Sequence, residues 1–141
     1  MTQRTWDDVV VGEALAPVAF PLSVYRLVMA AGANRDFNSI HHNTEYARAT
    51  GAPEMYANTL FLMGMWERAV RDWMGPAGRF VTVRGFRMVR FNTAGRTTTV
   101  RGQVTAVDTG SGLVTLSMRC EDLDGVTVGP GEVAVRLPRN S

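Results

Sequence analysis

Apolar residues recur at helical spacing most clearly between Thr59 and Met74, where Leu62, Met63, Trp66, Ala69, Val70 and Trp73 fall along one stripe. Glu67 and Arg71 form an i,i+4 pair in the favourable order on the opposite face, and Gly75-Pro76 ends the pattern. So long a stripe needs a broad surface to pack against. Two shorter helices precede it. Ser23 is placed to cap a helix from Val24 to about Ala31, closed by Gly32. Asn43 is placed to cap another from Thr44 to Thr50, with Gly51 just beyond its end. Upstream, Val9 to Glu13 and Ala19-Phe20-Pro21 read as a lead-in segment and a short edge strand.

Beyond the long helix the pattern changes. Phe80–Asn92, Thr97–Asp108, Leu113–Asp122 and Val126–Leu137 are rich in Val, Thr and Phe, and turn signals such as Thr109-Gly110-Ser111-Gly112 and Asp124-Gly125 divide them. Alternation is plain from Thr97 to Val104. Helices first and strands later predict an α+β fold with a mainly antiparallel sheet. With no repeat or linker, residues 1–141 read as a single domain. One sheet wrapped around one long apolar helix is the hotdog arrangement. Its exposed edge and incompletely covered flank predict a second protomer.

Composition narrows the classes. A hydrophobic fraction of 45% and a charged fraction of 20% are those of an ordinary soluble globule. No apolar run reaches membrane-span length, and Met1 to Asp8 lacks a charged start followed by an apolar stretch, so a cytoplasmic address is the expectation. Net charge is only +2, and the fifteen basic residues, all arginine, are scattered among acids. That pattern speaks against nucleic acid and membrane as partners, while a few arginines still suit one phosphorylated ligand. The single Cys120 rules out an internal disulfide or a multi-cysteine zinc site, and it reads as an inert buried thiol in a strand.

Candidate chemistry concentrates in Arg35-Asp36-Phe37-Asn38-Ser39-Ile40-His41-His42, which holds both histidines of the chain. A carboxylate beside an imidazole is a recurrent acid–base device near pH 7. Asn38 is suited to tying the loop to itself and supporting Asp36. His42 reads as a surface or interface residue. Adjacent histidines rarely face one ion, and no third strong ligand lies near in sequence, so no metal site is expected.

This motif resembles that of the MaoC-like, or (R)-specific enoyl-CoA hydratase, family of hotdog proteins, which carries Asp-x-Asn-Pro-x-His before a short helix. Asp36, Asn38 and His41 match it, with Ser39 where proline is usual. Ala57-Asn58-Thr59-Leu60 corresponds to the family's Ala-His-Gly-Met-like turn, with histidine and glycine both replaced, and Gly85–Phe91 resembles its arginine-bearing strand. The resemblance runs from roughly Val9 to Leu137. Arg35-Asp36-Phe37, His41-His42, Asn58 and Asp72-Trp73 further resemble one group, the small MaoC-like subunits of actinobacterial heteromeric hydratases of steroid side-chain enoyl-CoA thioesters.

The resemblance implies an enoyl-CoA hydratase or 3-hydroxyacyl-CoA dehydratase that adds water syn to a trans-2-enoyl thioester. It implies that Asp36 and His41 act on one water, that the backbone N–H of Thr59 meets the thioester oxygen, and that Arg87 contacts substrate; Asn58, from its own chemistry, is suited to redirect the turn or to donate its side-chain amide to substrate. CoA is then part of the substrate, and no other cofactor is expected. The implied partner is a second copy or a second MaoC-like chain, in some cases fused to an OB-type domain. From the residues themselves, Met63, Met65, Trp66 and Trp73 read mostly as core, with Met63 also suited to line an acyl tunnel. Arg87 and Arg90 are expected on opposite faces of one strand. Two other functions stay open: a non-catalytic subunit completing a partner's acyl pocket, and a hotdog thioesterase.

Overall fold

The computed structural model describes residues 2–140. Strand β1 (Val18–Pro21) leads into helix α1 (Val24–Ala33), a single 3-10 turn (Ser39–His41), helix α2 (Thr44–Ala49) and the long helix α3 (Thr59–Met74). Four strands follow: β2 (Arg79–Arg84), β3 (Thr97–Asp108), β4 (Leu113–Asp122) and β5 (Gly125–Arg136). They form one antiparallel sheet in the order β1-β3-β4-β5-β2. Among the described residues no helix is long and apolar enough to cross a membrane.

The expected apolar stripe is the buried face of α3. Leu62, Met65, Trp66, Ala69, Val70 and Met74 are buried and share one core with Val100, Val104, Val114, Leu116, Met118, Val133 and Val135 of the sheet. Alternate burial along β3 and β4 shows that one sheet face carries this core. At its centre the Trp66 indole N–H donates to Cys120 Sγ at 3.2 Å. Burial pushes the Cys120 thiol up to about 12, against the opposing pull of that hydrogen bond, so it is an unreactive core group.

Two expectations about boundaries need correction. Helix α1 does not stop at Gly32, which lies inside it; it runs to Ala33 with Asn34 as C-cap. The reversal falls on Arg35, at φ 54°. Asp36 N–H donates to Ala31 O at 2.9 Å and Arg35 N–H to Gly32 O at 3.1 Å, the paired bonds of a Schellman motif. The predicted strand Phe80–Asn92 ends at Arg84. Gly85 has φ 65°, and a Cβ there would sit 3.1 Å from Gly131 Cα. The chain therefore leaves the ladder and follows β5 irregularly, through Val89 N–H to Thr127 O (2.8 Å) and Gly129 N–H to Arg87 O (2.8 Å). Arg87 and Arg90 consequently do not share a regular strand.

Candidate active site

The Schellman turn delivers Asp36 at the end of α1, and the 3-10 turn delivers His41. Asn38 starts that turn by accepting the Ile40 N–H on its side-chain oxygen at 3.2 Å, while its own N–H lies 3.4 Å from Asp36 Oδ1. The loop thus closes on itself, and His41 Nε2 comes to 3.0 Å from Asp36 Oδ2. The imidazole is only 7% exposed and the carboxylate 37%.

His41 is pinned from behind. Its Nδ1 lies 2.8 Å from Tyr56 O, and the Tyr56 N–H donates back to Ile40 O at 3.3 Å. The Tyr56 ring meets the imidazole edge-on at 5.5 Å and leans on Phe91 at 4.6 Å. Ala57 N–H to Asn92 O and Ala94 N–H to Met55 O, both 2.9 Å, hold this stretch against residues 92–94. A carbonyl only accepts, so Nδ1 carries a proton. Nε2 then faces a carboxylate oxygen of Asp36 at 3.0 Å. An acid and an imidazole this close can hand a proton from one to the other. Burial, then the Asp36 charge, raises the Tyr56 phenol, which therefore stays protonated.

Asn58 caps α3. Its Oδ1 accepts the Phe61 N–H at 2.9 Å and lies 3.3 Å from Asn34 Nδ2, and its Nδ2 reaches Asp36 Oδ2 at 3.4 Å. Buried to 3% exposure, Asn58 ties the acid to the start of the long helix. Thr59 is the first helical residue, and no acceptor takes its N–H among the described residues. That position has ordinary rather than left-handed backbone, so threonine stands there without strain.

An apolar groove of about 610 Å³ runs between α1 and α3, with Tyr25, Met29, Ala33, Leu60, Phe61 and Gly64 in its wall. It stops at Asn34, two side chains away from Asp36. Met63 is absent from this wall and lies 38% exposed along another line of α3, because the groove takes residues 60, 61, 64 and 65 instead. Arg87 is exposed and makes no ion pair among the described residues. Arg90 is held by Asp122 (3.2 Å) and Asp124 (3.5 Å). His42 lies on the surface, and no three His, Cys, Asp or Glu side chains converge among the described residues. Sequence reading passed over Tyr56 and Asn34. Tyr56 acts through its backbone carbonyl, which no side-chain pattern reveals, whereas Asn34 stood in the polar run Asn34-Arg35-Asp36 and was open to notice.

The chain belongs to the MaoC-like hydratase/dehydratase family of hotdog proteins. No family model matches it, and membership rests on relatives. It is 36% identical over 92 residues, 65% of this chain and 69% of the other, to the 3-oxo-4,17-pregnadiene-20-carboxyl-CoA hydratase beta subunit of Mycobacterium tuberculosis. It superposes on a chain of the ChsH1-ChsH2 complex from the same organism with TM-score 0.84 and 31% identity, covering 91% of this chain and 98% of that one. R-hydratase PhaJ1 from Pseudomonas aeruginosa shares the fold, with TM-score 0.85 at 20% identity over 96% of this chain and 86% of that one.

Proposed function

We propose that this chain hydrates trans-2-enoyl-CoA thioesters to 3-hydroxyacyl-CoA, and runs the reverse dehydration with the same groups. The observation that carries the reading is the 3.0 Å contact between Asp36 and His41, with the far nitrogen of His41 held by Tyr56 O. In the proposed step, a water held by the pair attacks C3 of the enoyl group. Asp36 takes the proton that leaves the water, and His41 Nε2–H gives its proton to C2. The proton on Asp36 then passes across the 3.0 Å contact to His41 Nε2, and both groups return to their starting states. One water enters and nothing else is consumed. Addition and protonation from one side give the syn outcome, and the family resemblance implies the face that yields an (R)-3-hydroxyacyl product. As charge builds on the thioester oxygen, the Thr59 N–H at the positive end of α3 meets it.

Asn38 and Asn58 position Asp36, and the exposure of Arg87, which makes no ion pair among the described residues, supports a contact with a CoA phosphate. CoA is part of the substrate. The relatives support a bulky, sterol-like acyl group and assembly with a second MaoC-like chain, since one is named as a hydratase subunit and another comes from a two-chain complex. β2 supports the same reading: it is an open sheet edge, with Val81 and Val83 47% and 42% exposed.

The test is to incubate the chain, alone and assembled with its partner, with a trans-2-enoyl-CoA. Loss of the conjugated-thioester absorbance without thiol release is expected, with (R)-3-hydroxyacyl-CoA recovered. Release of free CoA would mark a thioesterase instead, and full activity retained in an assembly carrying Asp36→Asn would mark this chain as non-catalytic.

A further inference from the structure

We infer that the groove between α1 and α3 holds the acyl tail of the thioester and that Gly64 sets its width. The inference rests on the hydration reading above. Gly64 stands in the interior of a 16-residue helix. Glycine there costs about 1 kcal/mol relative to alanine. Nothing in the backbone or packing calls for it. Its φ is not left-handed, and a Cβ built on it meets no atom within 4 Å. The space a side chain would take is the groove itself.

Position and chemistry name the occupant. The groove wall begins at Leu60, one residue beyond the Thr59 N–H, and ends at Asn34, which is linked through Asn58 to Asp36. A thioester whose oxygen meets Thr59 therefore has this channel beside its reacting carbons. Between its ends the wall is hydrocarbon and aromatic. The amides of a pantetheine arm would lose water there without gaining partners, whereas a hydrocarbon tail loses nothing. A volume of about 610 Å³ is that of a small-molecule site. Arg26 and Arg68 line the far end, each eight residues along its helix from Asn34 or Leu60, hence ~12 Å away. Arg68 Nε donates to Asp72 Oδ2 at 2.9 Å and Arg26 donates to Pro21 O at 3.3 Å, and the remaining N–H groups of each guanidinium suit a tail that ends in a hydrogen-bond acceptor such as a ketone oxygen.

The test compares a four-carbon enoyl-CoA with one bearing a fused-ring tail, using the assembled enzyme. Gly64→Leu should lower kcat/KM for the bulky substrate at least tenfold, chiefly through KM, and change the small one less than twofold. Gly64→Ala should melt no lower than wild type, which controls for folding. Among bulky tails, one ending in a ketone should be preferred to its hydrocarbon counterpart, and Arg68→Leu should erase that preference. Equal effects of Gly64→Leu on both substrates, or none on either, would overturn the inference while leaving the hydration reading intact. Should neither thioester be hydrated, the reading itself falls. Calorimetric binding of the bulky 3-hydroxyacyl-CoA then decides: affinity lost in Gly64→Leu upholds the groove, and unchanged affinity removes it.

Discussion

Asn58 stands where the family resemblance leads one to expect histidine, and its three hydrogen bonds give it a double duty: capping α3 and steadying Asp36. The two duties separate by substitution. Asn58→Ala loses both and should cost about 1 kcal/mol of stability together with a large fall in kcat. Asn58→Asp keeps a capping oxygen but sets a second carboxylate against Asp36, so turnover should fall at least tenfold while the chain remains folded; thermal melts beside kcat measurements check this. Cys120 offers a pH prediction. Its thiol pKa lies higher in the folded chain, at about 12, than the ordinary thiol value of 9.0, so between those values the folded state holds a proton that the unfolded state has lost. Stability should therefore be unaffected below pH 9 and fall above it, by at most about 4 kcal/mol. Urea melts of wild type and Cys120→Ala should diverge in slope only above pH 9. Asp36 and His41 were legible in the sequence because six residues hold them both. The Tyr56 carbonyl was not, because it arrives from fifteen residues downstream and has no side-chain signature.

Two elements differ from their sequence patterns, and each difference shapes the site. A glycine within a short helical pattern looks like a stop, yet Gly32 continues α1 and the left-handed position falls on Arg35. The turn that follows this extra length carries Asp36 to the imidazole. An L-residue in that conformation is strained, so Arg35→Gly should raise stability by about 1 kcal/mol without loss of activity, read from urea melts and the hydration assay. The β-rich run after α3 looks like one long strand, but the approach of Gly85 to Gly131 breaks it. That contact is between backbones distant in sequence, so composition carries no trace of it. A Cβ on Gly131 would lie 2.4 Å from Arg84 O. Gly131→Ala should therefore loosen the segment carrying Arg87, seen as faster amide exchange at Val89 and Arg90 with β3 and β4 unaffected. The remaining elements were legible because α3 and strands β3 to β5 keep a single periodicity from end to end.

At the scale of the molecule, helix and sheet form one core, and the unfinished parts are the β2 edge and the groove beside the candidate site. Assembly through β2 predicts that Val83→Lys, exposed on an edge strand, weakens association with the partner chain while the melting temperature of the isolated chain changes little; native mass spectrometry of co-expressed chains would register it. The claim on which the account turns is that Asp36 and His41 act as one proton-holding unit. It is tested most directly by a double-mutant cycle in the assembled enzyme, comparing kcat for Asp36→Asn, His41→Ala and the pair. Each single change should cost about 10²–10⁴-fold, and the double change no more than the worse single. Losses that multiply, or near-wild-type turnover in either single variant, would contradict it.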